Sequence, residues 1–196
     1  MPRKADEQLE GRILDAAYRL WSKGGEEAVT MRAVARAAGT TTPTLYERFK
    51  DKHELLTFLQ DRARERLFLY IKSAASAFEA CRRGLEFMVA HENEHRLLIA
   101  HWAARLARKE WRPSYEFLMT LLARDLGGSP EDYEELAMAL VALVYGAAAH
   151  LVEGEIEEKI CSQFRRACLA ACDELIESAK RKSSQSGKRQ KVSALS

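Results

Sequence analysis

The chain has 196 residues, of which 47% are hydrophobic and 31% are charged, a balance typical of a globular protein rather than a disordered or fibrous one. No stretch reaches the roughly 18 consecutive uncharged apolar residues that a membrane-spanning helix needs, so we expect no membrane span. Four cysteines are too few for a disulfide framework, and the polar N-terminus lacks the apolar region of a secretory signal. We therefore expect a protein of the reducing cytoplasm.

The net charge of +2 is unevenly distributed along the chain. Residues 1–50 carry nine basic and seven acidic side chains, residues 51–179 carry 16 and 22, and residues 180–196 carry six and none. Basic ends beside an acidic middle favour a nucleic-acid partner at one end of the chain.

Apolar residues recur at helical spacing between glycine and proline positions, and no strand-like alternation is sustained, so we predict an all-α protein of about nine helices. The first helix runs from about Asp6 to Lys23 and ends at Gly24-Gly25. Thr30 caps a short second helix that ends at Gly39. A third short helix covers about 41–49.

A long fourth helix is capped by Asp51, with Glu54 completing a capping box, and no glycine or proline occurs over 44–80, so the helix should be stiff. Ser129 and Pro130 mark the start of a later helix. Helical patterns follow the fourth helix over about 76–93, 95–109, 114–126, 130–152 and 155–181. Residues 182–196 are rich in serine and basic side chains and are expected to be a disordered tail.

The segment Thr30–Leu55, TMRAVARAAGTTTPTLYERFKDKHEL, places two short helices on either side of a turn at Gly39. This is the spacing of a helix-turn-helix, in which the first helix supports the second in the DNA major groove. Hydroxyl side chains at the start of the second helix suit contacts with phosphates and base edges. The predicted DNA-binding residues are Thr30, Thr40, Thr41, Thr42, Thr44, Tyr46, Arg48 and Lys52.

The same segment resembles the TetR family of transcriptional regulators. The matching positions are Thr30, Val34, Ala35, Ala38, Gly39, Thr41, Thr44, Leu45, Tyr46, Phe49, Lys52 and Leu55. Thr40 stands where the family usually has Val or Ile, and Arg48 where it usually has His or Tyr. The resemblance implies a DNA-binding domain at residues 1–52, an effector-binding and dimerisation domain at 53–181, and the basic tail at 182–196. It implies a homodimer that binds a small effector. We predict a repressor released from double-stranded operator DNA by that effector, which the aromatic residues in the middle of the chain predict to be mostly apolar. We expect neither enzymatic activity nor a cofactor.

Two further sets of residues are assigned to the second domain. The helices over 130–152 and 155–181 carry stripes of small and apolar residues, which predict either an intramolecular core or a four-helix interface between subunits. The resemblance favours the interface, formed by Leu140, Leu143, Ala147, Phe164, Cys168 and Ala171. Aromatic and polar residues in the middle of the chain suit either core packing or an apolar effector pocket with a few polar groups. The pocket candidates are Phe87, His101, Trp102, Tyr115 and Tyr145.

Three alternatives remain open at this point. The segment 91–95, HENEH, matches H-E-x-x-H, in which His91 and His95 would hold zinc and Glu92 would act as general base of a metallopeptidase. No third ligand stands at a recognised spacing. A regulatory metal site that uses the same histidines without catalysis is a related alternative. Cys161, Cys168 and Cys172 share one helix face and indicate a thiol sensor, a soft-metal site or small core residues, of which we favour the last. A helical interaction module without a DNA role is the third alternative.

Overall fold

The computed structural model describes residues 3–100, 113–153 and 157–193, and within these ranges all regular structure is helical. The predicted all-α fold is confirmed. The helices are α1 (Arg3–Ala28), α2 (Met31–Ala37), α3 (Thr42–Tyr46), α4 (Lys52–Ile71), α5 (Ala77–Ala90), α6 (Glu92–Ile99), α7 (Pro113–Leu126), α8 (Glu134–Glu153) and α9 (Glu158–Ser193), with a 3-10 turn at Pro130–Tyr133 before α8.

The chain divides into two compact units. The first comprises residues 1–63 with 96–98, and the second comprises residues 64–95 with 99–196. The division falls inside α4 rather than at residue 52, where the motif alone would place it. The physical reason is that the first turns of α4 bury Leu55, Leu56 and Leu59, which complete the apolar core of the first unit.

The first unit packs α2 against both α1 and α3. Phe49 and Phe58 meet edge to face with ring centroids 5.3 Å apart. The backbone of α1 leaves helical geometry at Gly24 and Gly25, and Gly25 has φ 60°, so the regular part of α1 ends where predicted. The buried core of this unit includes Ile13, Leu14, Ala17, Trp21, Val29, Val34, Leu45, Phe49, Leu55 and Leu59.

The second unit is a bundle in which α5, α7, α8 and α9 pack against one another. Its buried core includes Ala77, Ala80, Leu85, Met88, Leu118, Leu121, Leu122, Ala137, Leu140, Val144, Ala148, Cys172 and Ile176. The connection before α8 follows the predicted signals, since the Ser129 amide donates to Asp132 Oδ2 at 2.8 Å and Pro130 begins the 3-10 turn.

The segment Pro130–Val152, which includes most of α8, is apolar around much of its circumference. By length and composition alone it could cross a membrane. It packs instead as a bundle helix against α5, α7 and α9. Only 28% of its apolar window is buried within the chain, however. A helix of this composition normally buries its other faces as well, so α8 has apolar surface left to cover.

Helix α9 continues to Ser193, which differs from the disorder predicted for residues 182–196. Residues 182–193 contain no proline, and most of them are Lys, Arg, Gln or Ser, which a helix accommodates at little or modest free-energy cost. This composition is compatible with a helix that continues to Ser193.

Candidate nucleic-acid interface

The turn between α2 and α3 has the predicted glycine in a left-handed conformation. Gly39 has φ 68°, which residues with a Cβ adopt only at a free-energy cost. The Gly39 amide donates to Arg36 O at 3.3 Å, and the Thr40 amide donates to Ala35 O at 3.0 Å. Together these bonds form a Schellman motif, which satisfies the last carbonyls of α2 and fixes the direction in which α3 starts.

Threonine side chains cap both helices of the motif. Thr30 Oγ1 accepts from the Ala33 amide at 3.1 Å, and Thr41 Oγ1 accepts from the Thr44 amide at 3.3 Å. Pro43 lies in the first turn of α3, where its missing amide proton leaves no bond unmade. The hydroxyls of Thr30 and Thr41 therefore hold the motif together, in addition to any contact that they make with DNA.

The remaining predicted residues surround a short helix with one buried side. Within α3, Leu45 is fully buried, whereas Tyr46 is 52% exposed. Thr41 is exposed and Arg48 is half-buried. Thr40, Thr42 and Thr44 are also half-buried. The structure thus brings the predicted hydroxyl-bearing residues together around the start of α3, with an exposed tyrosine at its end.

Lys52 is already engaged within the first unit. Its Nζ donates to Glu26 O at 2.8 Å and lies 3.9 Å from Glu26 Oε1. Asp51 Oδ1 accepts from the Glu54 amide at 2.8 Å, as the predicted capping box requires. The return bond of that box differs by one residue, because Glu54 Oε2 accepts from the Lys50 amide at 2.5 Å. A phosphate contact by Lys52 would compete with its bond to Glu26.

Three exposed basic residues near the motif are absent from the predicted set. They are Arg32 and Arg36 on α2 and Lys50 before α4. The sequence could have identified these three residues, because they stand between the apolar positions of the motif, which are buried. Positive side chains here supply the sequence-independent attraction to phosphates that DNA-binding domains require.

The predicted effector residues lie in the second unit, and each contacts a different partner. The Phe87 ring centroid lies 4.7 Å from that of His91. The Tyr145 ring lies 6.4 Å from His95. The Tyr115 hydroxyl donates to Glu134 O at 2.7 Å, and burial, with a smaller contribution from the Glu134 charge, raises the pKa of Tyr115 to about 12. The other two predicted residues, His101 and Trp102, lie outside the described residues.

A buried polar cluster in the second unit was not predicted. Glu94 is buried and accepts a hydrogen bond from the Arg66 guanidinium. Arg64 on α4 and His95 on α6 are also buried in this unit. Burial, and secondarily the charge of Arg66, lowers the pKa of His91. Buried charged groups are rare unless they are paired, and such clusters are candidates for ligand recognition.

The predicted dimer residues differ in how far the single chain buries them. Leu140, Ala147 and Cys168 are buried within the single chain, so their side chains are not available to a second subunit. Leu143 and Ala171 are half-buried. Phe164 is 40% exposed, with its ring 5.3 Å from that of His150. Other exposed apolar residues of α9 are Ile160 and Leu175. Apolar stripes predict burial, but they do not say whether the covering surface belongs to the same chain.

The arrangement on which the H-E-x-x-H hypothesis depends differs in the structure. His91 follows the end of α5 with φ −128° and ψ 69°, outside either helix, and His95 is fully buried in α6. Within the described ranges, no group of three His, Cys, Asp or Glu side chains is arranged to hold a metal ion.

The cysteine face of the last helix contacts a thiol from α5. Cys172 hydrogen-bonds to Cys168 and to Cys81, and the Cys168 thiol also donates to Leu143 O at 3.6 Å. These three thiols are buried, whereas Cys161 is half-buried. The hydrogen bond with Cys172 and burial raise the pKa of Cys168, which keeps this thiol protonated. The structure favours the core interpretation for Cys168 and Cys172.

Comparison with known proteins supports the interpretation of the motif as a helix-turn-helix. Residues 13–57 match the model of bacterial regulatory proteins of the tetR family. The HTH-type transcriptional repressor KstR of Mycolicibacterium smegmatis is 41% identical over 90 residues, which are 46% of this chain and 44% of KstR. The chain therefore aligns with less than half the length of this relative.

Solved structures match over most of the chain. A TetR-like transcriptional regulator from Rhodococcus sp. RHA1 is 25% identical, with a TM-score of 0.56 over 90% of this chain and 96% of its own. A TetR variant from Acinetobacter baumannii AYE, solved in complex with minocycline, has the same fold at 18% identity, with a TM-score of 0.62 over 88% of this chain and 97% of its own.

The first unit is thus a helix-turn-helix of the DNA-binding class, followed by a helical bundle. The same combination occurs in the TetR-like transcriptional regulator from Rhodococcus sp. RHA1 to which the chain is similar. The chain is similar to the TetR family in its DNA-binding region and in its helical fold, as the sequence resemblance indicated.

Proposed function

We propose that the protein represses transcription by binding operator DNA as a homodimer in the cytoplasm, and that a small, mostly apolar effector releases it. The observation that carries the proposal is the surface around α3, where threonines and the exposed Tyr46 extend from a turn fixed by Gly39. The repressor character is supported by three of the matched relatives, which are described as repressors.

In this proposal α3 enters the major groove. Thr40, Thr42 and Thr44 offer hydroxyl and methyl groups to base edges, and a threonine methyl suits the methyl group of thymine. Tyr46 and the exposed basic residues of α2 contact phosphates, which position the domain without reading sequence. A symmetric dimer then recognises a near-palindrome whose half-sites are about 34–36 Å apart, or a multiple of that distance.

The second copy is expected to cover the apolar surface of α8 and α9. Ile160, Phe164 and Leu175 of α9 are exposed large apolar residues, and α8 is mostly unburied within the chain. Two helices from each subunit would then form a four-helix interface. The exposed residues replace Leu140, Ala147 and Cys168 as the proposed contacts.

The effector is proposed to bind within the second unit. Phe87, Tyr115 and Tyr145 supply apolar and aromatic surface, and the polar cluster of Arg66 and Glu94 offers hydrogen-bonding groups. Effector binding would act through α4, which continues from the first unit into the second without glycine or proline. A coupling free energy of about 1–3 kcal/mol between effector and DNA is enough for a 5–150-fold response.

Footprinting on the DNA that flanks the protein's own gene tests the DNA-binding proposal. We expect protection of a near-palindrome, with affinity for it well above that for mixed-sequence duplex at the same salt concentration. Absence of binding to any duplex across salt concentrations would instead favour the helical interaction module, and equal affinity for all sequences would contradict operator recognition.

The effector proposal is tested by tryptophan fluorescence titration with and without the protected duplex. Linkage requires that DNA weakens effector binding by the same factor by which the effector weakens DNA binding. A compound that binds equally well in both titrations cannot be the inducer.

A further inference from the structure

We infer that α3 reads operator DNA through the methyl group that thymine carries at C5, using the apolar parts of Thr42, Pro43 and Thr44. This inference rests on the proposed function, because α3 must enter the major groove to make such contacts. It names the chemical group that is recognised, and it adds Pro43, which is absent from the predicted set of DNA-binding residues.

Residues 40–46 carry none of the side chains that usually read purines or cytosine. Their sequence is TTTPTLY, without Arg, Lys, Asn, Gln, Asp or Glu. Guanine is typically contacted by Arg or Lys, adenine by Asn or Gln, and the cytosine amino group by Asp or Glu. Glu47 and Arg48 have such groups, but both follow the last residue of α3, whereas a recognition helix contacts bases with its N-terminal residues. Base recognition by α3 is therefore left to methyl, methylene and hydroxyl groups.

Pro43 points most directly to an apolar partner. It is exposed and lies in the first turn of α3. Its ring has neither a donor nor an acceptor, so in a groove it can make favourable contact only with apolar groups. The C5-methyl group of thymine is the apolar group that base edges present in the major groove. An exposed proline at this position therefore favours thymine over the other three bases.

The hydroxyl of Thr44 is already engaged within the motif. The Oγ1 atoms of Thr41 and Thr44 lie 2.9 Å apart, and Thr41 Oγ1 also accepts from the Thr44 amide at 3.3 Å. The bond between the two hydroxyls holds the Thr44 side chain in one rotamer and uses one of their two protons. Its methyl group is thus better suited than its hydroxyl to a base contact. Thr42, which directly precedes Pro43, carries a second methyl group.

The size of the expected effect follows from the burial of a methyl group. Removing one such group from water on binding changes the affinity by about fourfold. Each subunit of the proposed dimer contacts one half-site, so loss of a recognised methyl group from both half-sites should weaken binding by about 16-fold. A hydrogen bond from a hydroxyl to the thymine carbonyl would survive that loss. Removal of the methyl group alone therefore separates apolar contact from hydrogen bonding.

The experiment uses the full wild-type chain and the duplex that it selects from a random pool. Each thymine is replaced in turn, in both half-sites, by deoxyuridine, which lacks only the C5-methyl group. We expect about 16-fold weaker binding at one or two positions and little change at the others. Cytosine at such a position should also weaken binding, and 5-methylcytosine should restore part of the loss. Because the protein is the same throughout, these results do not depend on the folding of a variant.

Matched variants assign the contact to particular residues. T42S and T44S each remove a methyl group and keep the hydroxyl, and P43A removes two ring carbons. Each should weaken binding to the selected duplex, and the variant whose apolar group contacts the substituted thymine should lose its sensitivity to deoxyuridine. T42V keeps a methyl group without the hydroxyl and should keep that sensitivity. T57S makes the same change in α4, where the hydroxyl donates to His53 O at 3.0 Å, and should bind like wild type.

Two results would overturn the inference and leave the proposed function intact. In the first, deoxyuridine leaves the affinity within about twofold at every position, which is less than one buried methyl group contributes. In the second, the deoxyuridine effect persists unchanged in T42S, T44S and P43A, so that other residues must contact the methyl group. If the wild-type protein selects no duplex, the proposed function fails and this inference fails with it.

Discussion

The side-chain oxygens of Thr41 and Thr44 lie 2.9 Å apart at the start of α3, and the Thr44 amide donates to Thr41 Oγ1 at 3.3 Å. Thr41 is therefore the cap of the recognition helix, whereas Thr42 is its first residue. Neighbouring threonines with similar chemistry thus have different tasks, one in the stability of α3 and the other in the proposed contact with DNA.

Replacing Thr41 by Ala should lower the free energy of unfolding by about 1 kcal/mol, because an amide at the start of α3 loses its acceptor. Replacing Thr42 by Ala should change stability much less and alter base preference instead. Urea denaturation measures the first effect, and selection from a random duplex pool measures the second. Equal stability losses in the two variants would contradict this division of roles.

Tyr46 should contribute to DNA affinity without contributing to stability, since its side chain is 52% exposed. Tyr46→Ala is expected to weaken binding to all duplexes, because its proposed partner is a phosphate. Tyr46→Phe, the matched control, removes only the hydroxyl and should reproduce most of the loss. Unchanged affinity of Tyr46→Ala at about 0.15 M salt, where surface charges are screened over roughly 8 Å, would exclude this role.

Phe164→Glu should shift the protein from dimer to monomer in sedimentation velocity, because it places an unpaired charge on the proposed interface. Gln163→Glu adds the same charge at an adjacent exposed position and serves as the control. Leu140→Glu should behave differently and unfold the chain, because Leu140 is fully buried within the subunit. A wild-type protein that sediments as a monomer at micromolar concentration would remove the dimer from the proposal.

Tyr115 should make stability fall at alkaline pH. Its pKa is raised from 10.0 to about 12 in the folded chain, so the unfolded chain loses this proton first. The contribution is fully present below pH 10 and is lost as pH rises through about 12. Tyr115→Phe should therefore show a flatter decline over this interval in urea denaturation at constant ionic strength. Parallel curves for the two proteins would show that the hydroxyl is not held as described.

Signals that act within a few residues were sufficient to predict the motif and several of the helix caps. Gly39, Asp51 and Ser129 determine turns and caps through bonds between residues three to five positions apart, so their effect can be anticipated from the sequence. The TetR motif itself is local in the same sense, because its matching positions share one short supersecondary unit.

Contacts between distant segments could not be predicted in this way. Lys52 reaches Glu26, Arg66 reaches Glu94, and Cys172 reaches Cys81, and no local pattern identifies these pairs. The periodicity around Leu140 correctly indicates a buried position, but it leaves open which chain covers it.

The incomplete burial of α8 has a consequence for how the protein responds to its own abundance. If a second copy covers this helix, dimerisation contributes to folding stability by mass action, so the melting temperature should rise with protein concentration. Operator occupancy would then depend on the square of the monomer concentration wherever dimers are scarce. Small changes in synthesis or degradation would produce larger changes in repression, and the threshold for that response would be set by the apolar surface that one chain leaves uncovered.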